Sequence, residues 1–180
     1  GLALVAFVVI HAGGIAQVVG MARDFAAAGP LVVVLGDNIF EQSHARDISA
    51  WGADAGGALI FVKDVPDPEA FGVVVYGDDG RVVDIVEKAG VVDTRYERPP
   101  TSDAVVGLYC YPPDVFDVIA ALQPSSRGEL EITDVNRHYA AEGRLDAVKV
   151  RGWWEDAGKH WHHLAEIGRM VDETGANGPG

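Results

Sequence analysis

The amino-acid sequence predicts an α/β protein in which a mixed, largely parallel sheet is flanked by helices. Apolar runs of strand length alternate along the chain with stretches of helical period. Two of the runs, Leu2–Ile10 and Leu31–Leu35, are continuously apolar, as strands covered on both faces are. Gly, Pro and Asp mark most of the joints. With 180 residues, 48% of them hydrophobic, 22 Gly and 9 Pro, the chain has the length and composition of one domain, placed at residues 1–174 with a flexible tail at 175–180.

The elements follow in order. Leu2–Ile10 reads as a buried strand, since it is too short to span a bilayer and no basic residue precedes it as in a signal peptide. Ile15–Ala28 reads as a helix: Ile15, Val18, Val19, Ala22, Phe25 and Ala26 share a face, and Gly29-Pro30 stops it. Leu31–Leu35 is a strand with the polar exit Gly36-Asp37-Asn38. A helix around Ala45–Ala55 precedes the strand Ala58–Lys63. Phe71–Tyr76 and Arg81–Val86 form a hairpin across Gly77-Asp78-Asp79-Gly80, which makes the sheet mixed. Ala89–Asp103 carries Pro99-Pro100 and no clean period, so it is a loop, and Ala104–Tyr111 is a strand. Pro112-Pro113-Asp114 opens a helix to about Leu122. Glu129–Ala141 is a second helix, Leu145–Val150 the last strand, and His160–Thr174 a closing helix.

The charge balance narrows the function. There are 27 Asp and Glu against 14 Lys and Arg, a formal net charge of −13. Such a surface repels phosphate backbones and anionic lipids, and no concentrated basic patch offsets it. Neither a nucleic acid polymer nor a membrane is therefore the expected partner. Anionic ligands have to be met locally, by metal ions or single basic residues. The single cysteine, Cys110, cannot form an intrachain disulfide, which fits a reducing compartment; a cytoplasmic location is expected. It stands mid-strand between Tyr109 and Tyr111, a position of core packing.

Open α/β sheets bind ligands beyond the carboxyl ends of their strands, so Asp37 is the first candidate. A carboxylate there can hold a hard cation such as magnesium, or it can cap or turn the chain. Trp154-Glu155-Asp156-Ala157-Gly158 has the same form, and Asp37 and Asp156 could share one metal ion. Glu87-Lys88 ends a hairpin strand; Lys88 is either a cation for a ligand or half of an exposed charge pair. Arg127-Gly128 precedes the predicted helix at Glu129. Free backbone N–H groups and a guanidinium fork suit phosphate there, with pairing of Arg127 to Glu129 or Glu131 as the alternative. Gly13-Gly14 before a helix allows close approach of a ligand. His160, His162 and His163 lack the glutamate of a zinc-protease helix and read as residues of an amphipathic surface helix. No P-loop, serine nucleophile elbow, zinc-finger spacing or dinucleotide fingerprint is present.

Taken in order, the pieces resemble the sugar-1-phosphate nucleotidyltransferases, and among them the glucose-1-phosphate thymidylyltransferases. The segments that carry the resemblance are Gly14-Ile15-Ala16-Gln17, Leu35-Gly36-Asp37-Asn38-Ile39-Phe40, Phe71-Gly72-Val73-Val74, Val86-Glu87-Lys88, Gly107-Leu108-Tyr109, Arg127-Gly128-Glu129-Leu130-Glu131-Ile132-Thr133-Asp134 and Trp154-Glu155-Asp156-Ala157-Gly158. The resemblance implies a Rossmann-like nucleotidyltransferase fold. It also implies a magnesium-dependent reaction in which glucose 1-phosphate attacks the α-phosphorus of dTTP to give dTDP-glucose and pyrophosphate. On this basis Asp37 and Asp156 would be catalytic and bind Mg2+. Gly72, Glu87 and Tyr109 would line the sugar pocket, Lys88 and Arg127 would hold the sugar phosphate, and Gly14 would pack against the nucleobase. A homo-oligomer, a tetramer by the same resemblance, is implied as well.

Three departures qualify it. The family's opening strand, its G-x-G-T-R loop and the lysine of its K-x-x-x-P stretch have no counterpart here, so the chain reads as the carboxyl-terminal part of the family fold. Val9 stands near the place of a glutamine that reads the thymine edge, and Ala89 follows Glu87-Lys88 where proline is usual. Uridylyl transfer to the same sugar phosphate, or binding of a sugar nucleotide without catalysis, are the alternatives.

Overall fold

The computed structural model describes residues 3–7, 14–26, 29–52, 56–125, 128–157 and 163–175. The β-branched and leucine runs form strands β1 (Ala3–Phe7), β2 (Leu31–Leu35), β4 (Ala58–Asp64), β7 (Asp103–Tyr111) and β8 (Leu145–Lys149), ordered β1-β2-β7-β4-β8. β1 runs parallel to β2 and β4 parallel to β8, while β7 is antiparallel to both β2 and β4. Four of these five strands therefore point the same way, and β7 alone is reversed. The hairpin β5 (Gly72–Tyr76) and β6 (Val82–Glu87) joins through Val73, which pairs with Ala104 on β7. The sheet is mixed and flanked by helices, as the sequence predicts.

Alternation along the strands sorts side chains to two layers. Leu31, Val33, Ile60, Val62, Tyr109 and Tyr111 face helices α1 (Ile15–Met21), α4 (Val115–Ala121) and α5 (Ile132–Ala141), against Val19, Phe116, Ile119, Val135 and Tyr139. Val32, Leu59, Phe61, Leu108 and Cys110 face the other way, toward Ile48 and Trp51 of α3 (Ala45–Gly52) and toward Phe40 and Trp154. Cys110 is fully buried there, and burial pushes its thiol up to about 12.

Several boundaries differ from the sequence reading. The helix expected over 15–28 is α1 followed by α2 (Arg23–Ala26), because the Ala22 N–H bonds Val19 O three residues back and tightens the turn. α5 begins at Ile132 rather than Glu129: Glu131 is extended (φ −83°, ψ 134°), and the Glu129 carbonyl accepts the Ser125 N–H. Gly128 therefore does not abut a helix start. Two three-residue strands, β3 (Asn38–Phe40) and β9 (Trp154–Asp156), form a separate antiparallel ribbon that periodicity does not signal. A final helix, α6 (His163–Thr174), closes the described chain; Arg127, His160, His162 and the His163 side chain lie outside the described residues.

Candidate active site

β2 ends at Leu35, and the chain turns through Gly36-Asp37 into the β3–β9 ribbon. In that ribbon Asn38 pairs with Asp156, and the Ala157 N–H donates to Asp37 O at 2.7 Å. Asp156 thus forms one rung of the ladder with Asn38, and Asp37, 119 positions before Asp156 in sequence, immediately precedes that rung. Asn38 ties this arrangement to the main sheet. Its Nδ2 donates to Asp37 Oδ1 at 2.8 Å, while its Oδ1 accepts the Gly107 N–H and the Trp154 Nε1–H, each at 2.8 Å. The Gly107 N–H is available because β7 carries three residues, Val106 to Leu108, opposite the single Phe61 of β4.

A cleft of about 340 Å3 opens beside the ribbon. It is lined by Gly14 and Ile15 at the start of α1, Ala70 to Gly72, Ile85 and Glu87 of the hairpin region, and Val105 and Tyr109 of β7. Glu129, Glu131, Ile132, Thr133 and Asn136 at the head of α5, and Asp156, complete it. Glu87 is set by two neighbours. Gly72 is its partner across the hairpin, and a Cβ at Gly72 would lie 2.9 Å from Glu87 Oε2, so only glycine leaves the carboxylate its place. The Thr133 hydroxyl then donates to Glu87 Oε2 at 2.8 Å. Asn136, 1% exposed, accepts the Tyr111 hydroxyl at 2.8 Å, and Ser125 donates to Glu131 Oε1 at 2.7 Å.

The electrostatics are those of a negative cleft. Glu87, Glu129, Glu131 and Asp156 line it, and no basic side chain does so among the described residues. Tyr109, 4% exposed, has its phenol pushed well up by burial, then by the charges of Glu87 and Asp37. Among the described residues no group of three or more His, Cys, Asp or Glu side chains is placed to hold a metal ion. The donor set still fits magnesium, which is held by one or two carboxylates and completes its octahedron with water and phosphate oxygens. Asp37, in the turn that leads into β3, and Asp156, in β9 and in the cleft wall, are hard oxygen donors.

The residues expected from sequence are placed as follows. Gly72, Glu87, Tyr109 and Asp156 line the cleft together. Gly14 lines it too; its Cα faces the Leu130 carbonyl, where a side chain would collide. Lys88 follows Glu87 at the edge without its side chain lining the cleft, and its φ of +44° is the left-handed conformation rare outside glycine. Sequence reasoning missed Phe71, Thr133, Asn136 and the anchoring role of Asn38. Thr133 lies within the quoted Arg127–Asp134 string, and Asn38 follows the candidate Asp37, so both stood beside legible signals. A second cleft of about 740 Å3, between Lys63–Asp67 and Gly152–Asp156, shares Phe71 and Asp156 with the first. The edge-on pair of Phe71 and Trp154, 5.8 Å between centroids, stands where the two meet.

The family model for nucleotidyl transferase matches residues 6–172. A glucose-1-phosphate thymidylyltransferase of Xanthomonas campestris pv. campestris is 44% identical over 88% of this chain and 52% of its own length. The low-salt glycan biosynthesis nucleotidyltransferase Agl11 of Haloferax volcanii is 37% identical over 89% of this chain and 43% of its own. A crystal structure from Bacillus anthracis, provisionally assigned as a glucose-1-phosphate thymidylyltransferase and in complex with a sucrose, superposes with a TM-score of 0.77 at 38% identity. It covers 92% of this chain and 63% of that one. The chain spans about half the length of the curated relatives it matches.

Proposed function

The chain belongs to the nucleotidyl transferase family, and on that premise we propose that its cleft binds glucose 1-phosphate for nucleotidyl transfer from dTTP, giving dTDP-glucose and pyrophosphate. The observation that supports the reading is the β3–β9 ladder, which pairs Asn38, the neighbour of Asp37, with Asp156 in the wall of a cleft that Glu87 also lines. In the proposed reaction an oxygen of the sugar phosphate forms a bond to the α-phosphorus, and the bond from that phosphorus to the departing pyrophosphate breaks. Such chemistry is mostly positioning and neutralisation of charge.

The protein's own groups have distinct parts in it. Glu87, fixed by Thr133 and free to approach because residue 72 is glycine, is oriented to accept sugar hydroxyls. Tyr109, which stacks on Tyr111 at 6.0 Å, provides a rigid buried wall. Lys88 and Arg127 are the cations proposed to meet the sugar phosphate, and the backbone at Gly14 is the surface proposed for the nucleobase. Asp37 and Asp156 would hold magnesium, which when bound offsets the phosphate charge in a cleft whose described lining is acidic.

Pyrophosphate release from glucose 1-phosphate with dTTP, and separately with UTP, with and without magnesium, tests the reading. Release that needs sugar phosphate, nucleotide and metal together is expected, and competition between dTTP and UTP then settles the base. Binding of dTDP-glucose without any release would favour a sugar-nucleotide-binding role, and neither binding nor release from the folded chain would overturn the proposal.

A further inference from the structure

Helix α5 reaches the site twice, one turn apart. Thr133 holds the Glu87 side chain, and Arg137 holds the backbone behind it, donating from Nε to Ile85 O at 2.7 Å. The second Arg137 contact, from Nη2 to Asp93 Oδ2 at 2.5 Å, ties down the turn that follows Glu87. Asp93 is 8% exposed and closes that turn on itself: its N–H donates to Glu87 O at 2.9 Å, and its carbonyl accepts the Gly90 N–H at 3.0 Å. Arg95 grips the same carboxylate, through Nε at 2.9 Å and Nη2 at 2.6 Å, and pairs with Asp84 on β6 at 2.8 Å.

Inside the closed turn sits Lys88, the only non-glycine residue of positive φ among those described. Its N–H donates to Phe71 O at 3.0 Å, and its carbonyl accepts both the Val91 and Val92 N–H groups at 3.0 Å. A strained left-handed residue persists only where its surroundings over-determine it, and such residues gather at ligand sites. Here the surroundings are the Asp93–Arg137 pair and the hydrogen bonds it locks. Val91 and Val92, 78% and 54% exposed, contribute no core packing, and Ala89 alone of the turn's apolar residues packs beneath it, against Val73 and Val86.

Resting on the functional reading above, we infer that Asp93 and Arg137 are positioning residues for sugar-phosphate binding. Their pair clamps the 88–93 turn to α5, and so fixes the direction in which Glu87 and Lys88 are presented at the cleft. Neither side chain lines the cleft, so they act through Glu87 and Lys88 and not on the ligand. The fork of Arg137 spans the Ile85 carbonyl and the Asp93 carboxylate at once, which a lysine ammonium cannot reproduce.

The test uses the full chain and two variants, Asp93→Asn and Arg137→Lys. It combines amide hydrogen exchange with calorimetric titration of glucose 1-phosphate and, separately, of Mg2+. Both variants are expected to lose protection at Lys88, Val91, Val92 and Asp93 while keeping it in β4 and β7. The dissociation constant for glucose 1-phosphate should rise about tenfold or more, with that for Mg2+ within about twofold of wild type. Unchanged protection of the turn overturns the clamp. Lost protection with unchanged sugar-phosphate affinity, or equal losses for both ligands, overturns the positioning role. A wild-type chain that binds no glucose 1-phosphate instead overturns the functional reading, and the positioning role with it.

Discussion

Asn38→Ala strikes the point where the ribbon, the bulge of β7 and the candidate metal site meet. The substitution removes one acceptor that serves two donors, the Gly107 N–H and the Trp154 indole N–H, each at 2.8 Å, and the donor to Asp37. Orphaned donors cost about 1–3 kcal/mol each when buried. All three contacts are part-buried, so water can partly replace the lost partner and the lower end applies. The expected loss of stability is about 2–4 kcal/mol. Urea unfolding followed by tryptophan fluorescence reads it directly, since Trp154 is itself one of the bonded groups. Asn38→Asp separates the roles, because it keeps the acceptor for both donors but places a second carboxylate against Asp37. That carboxyl would have its pKa raised in the folded state by the like charge, so its stability should fall as pH rises through the carboxylate range. Asn38→Ala should instead be weakened at every pH. A loss below about 1 kcal/mol for Asn38→Ala would refute the view that this side chain holds the ribbon to the sheet.

Three other predictions concern the surroundings of Glu87 and the core. Thr133→Val keeps the shape of a residue 8% exposed but removes the hydrogen bond to Glu87; we expect about 1–2 kcal/mol less stability and weaker glucose 1-phosphate binding, measured by urea melts and calorimetry. The Arg95 guanidinium, and Arg137 with it, holds the Asp93 carboxyl below the usual carboxylate range despite its burial. The unfolded chain then binds more protons just below the ordinary value of about 3.9, so this contribution is complete above that value and is lost as pH falls through the lower folded value. Urea midpoints between about pH 5 and pH 2 should therefore fall less steeply for Asp93→Asn than for wild type, and identical slopes would contradict the pairing. Cys110, fully buried and with its thiol raised to about 12, should resist a thiol reagent at neutral pH until denaturant is added; labelling of the native chain within the mixing time would show the packing to be wrong.

The main sheet was legible because burial on both faces writes itself as Val, Leu and Ile runs, and the Gly77–Gly80 turn announced the antiparallel pair β5–β6; the reversal of β7 between β2 and β4 is a long-range pairing that neither signal carries. The ribbon was not, because strands of three half-buried residues carry no period, and the pairing of Asn38 with Asp156 spans most of the chain. Glu129-Leu130-Glu131 has helical composition, yet Glu131 is extended and the Leu130 carbonyl lies against Gly14, a tertiary contact that local propensity cannot encode. The same division holds at the site. Asp37 and Asp156 follow apolar runs and could be read as candidates from that position, whereas Glu87 entered only through the resemblance. Thr133, Asn136 and Arg137 acquire meaning only when α5 is laid along β6, which no spacing in the sequence announces.

The central claim is that Asp37 and Asp156 form a divalent-cation site at the cleft that holds Glu87. Titration of Mn2+ in place of Mg2+ into isotope-labelled protein, with dTDP-glucose present, tests it by paramagnetic broadening of amide signals. Broadening should begin at Asn38, Gly107 and Asp156 and be lost in Asp156→Asn. Broadening centred instead on Asp64 and Asp67 of the second cleft, or unchanged in Asp156→Asn, would contradict the account.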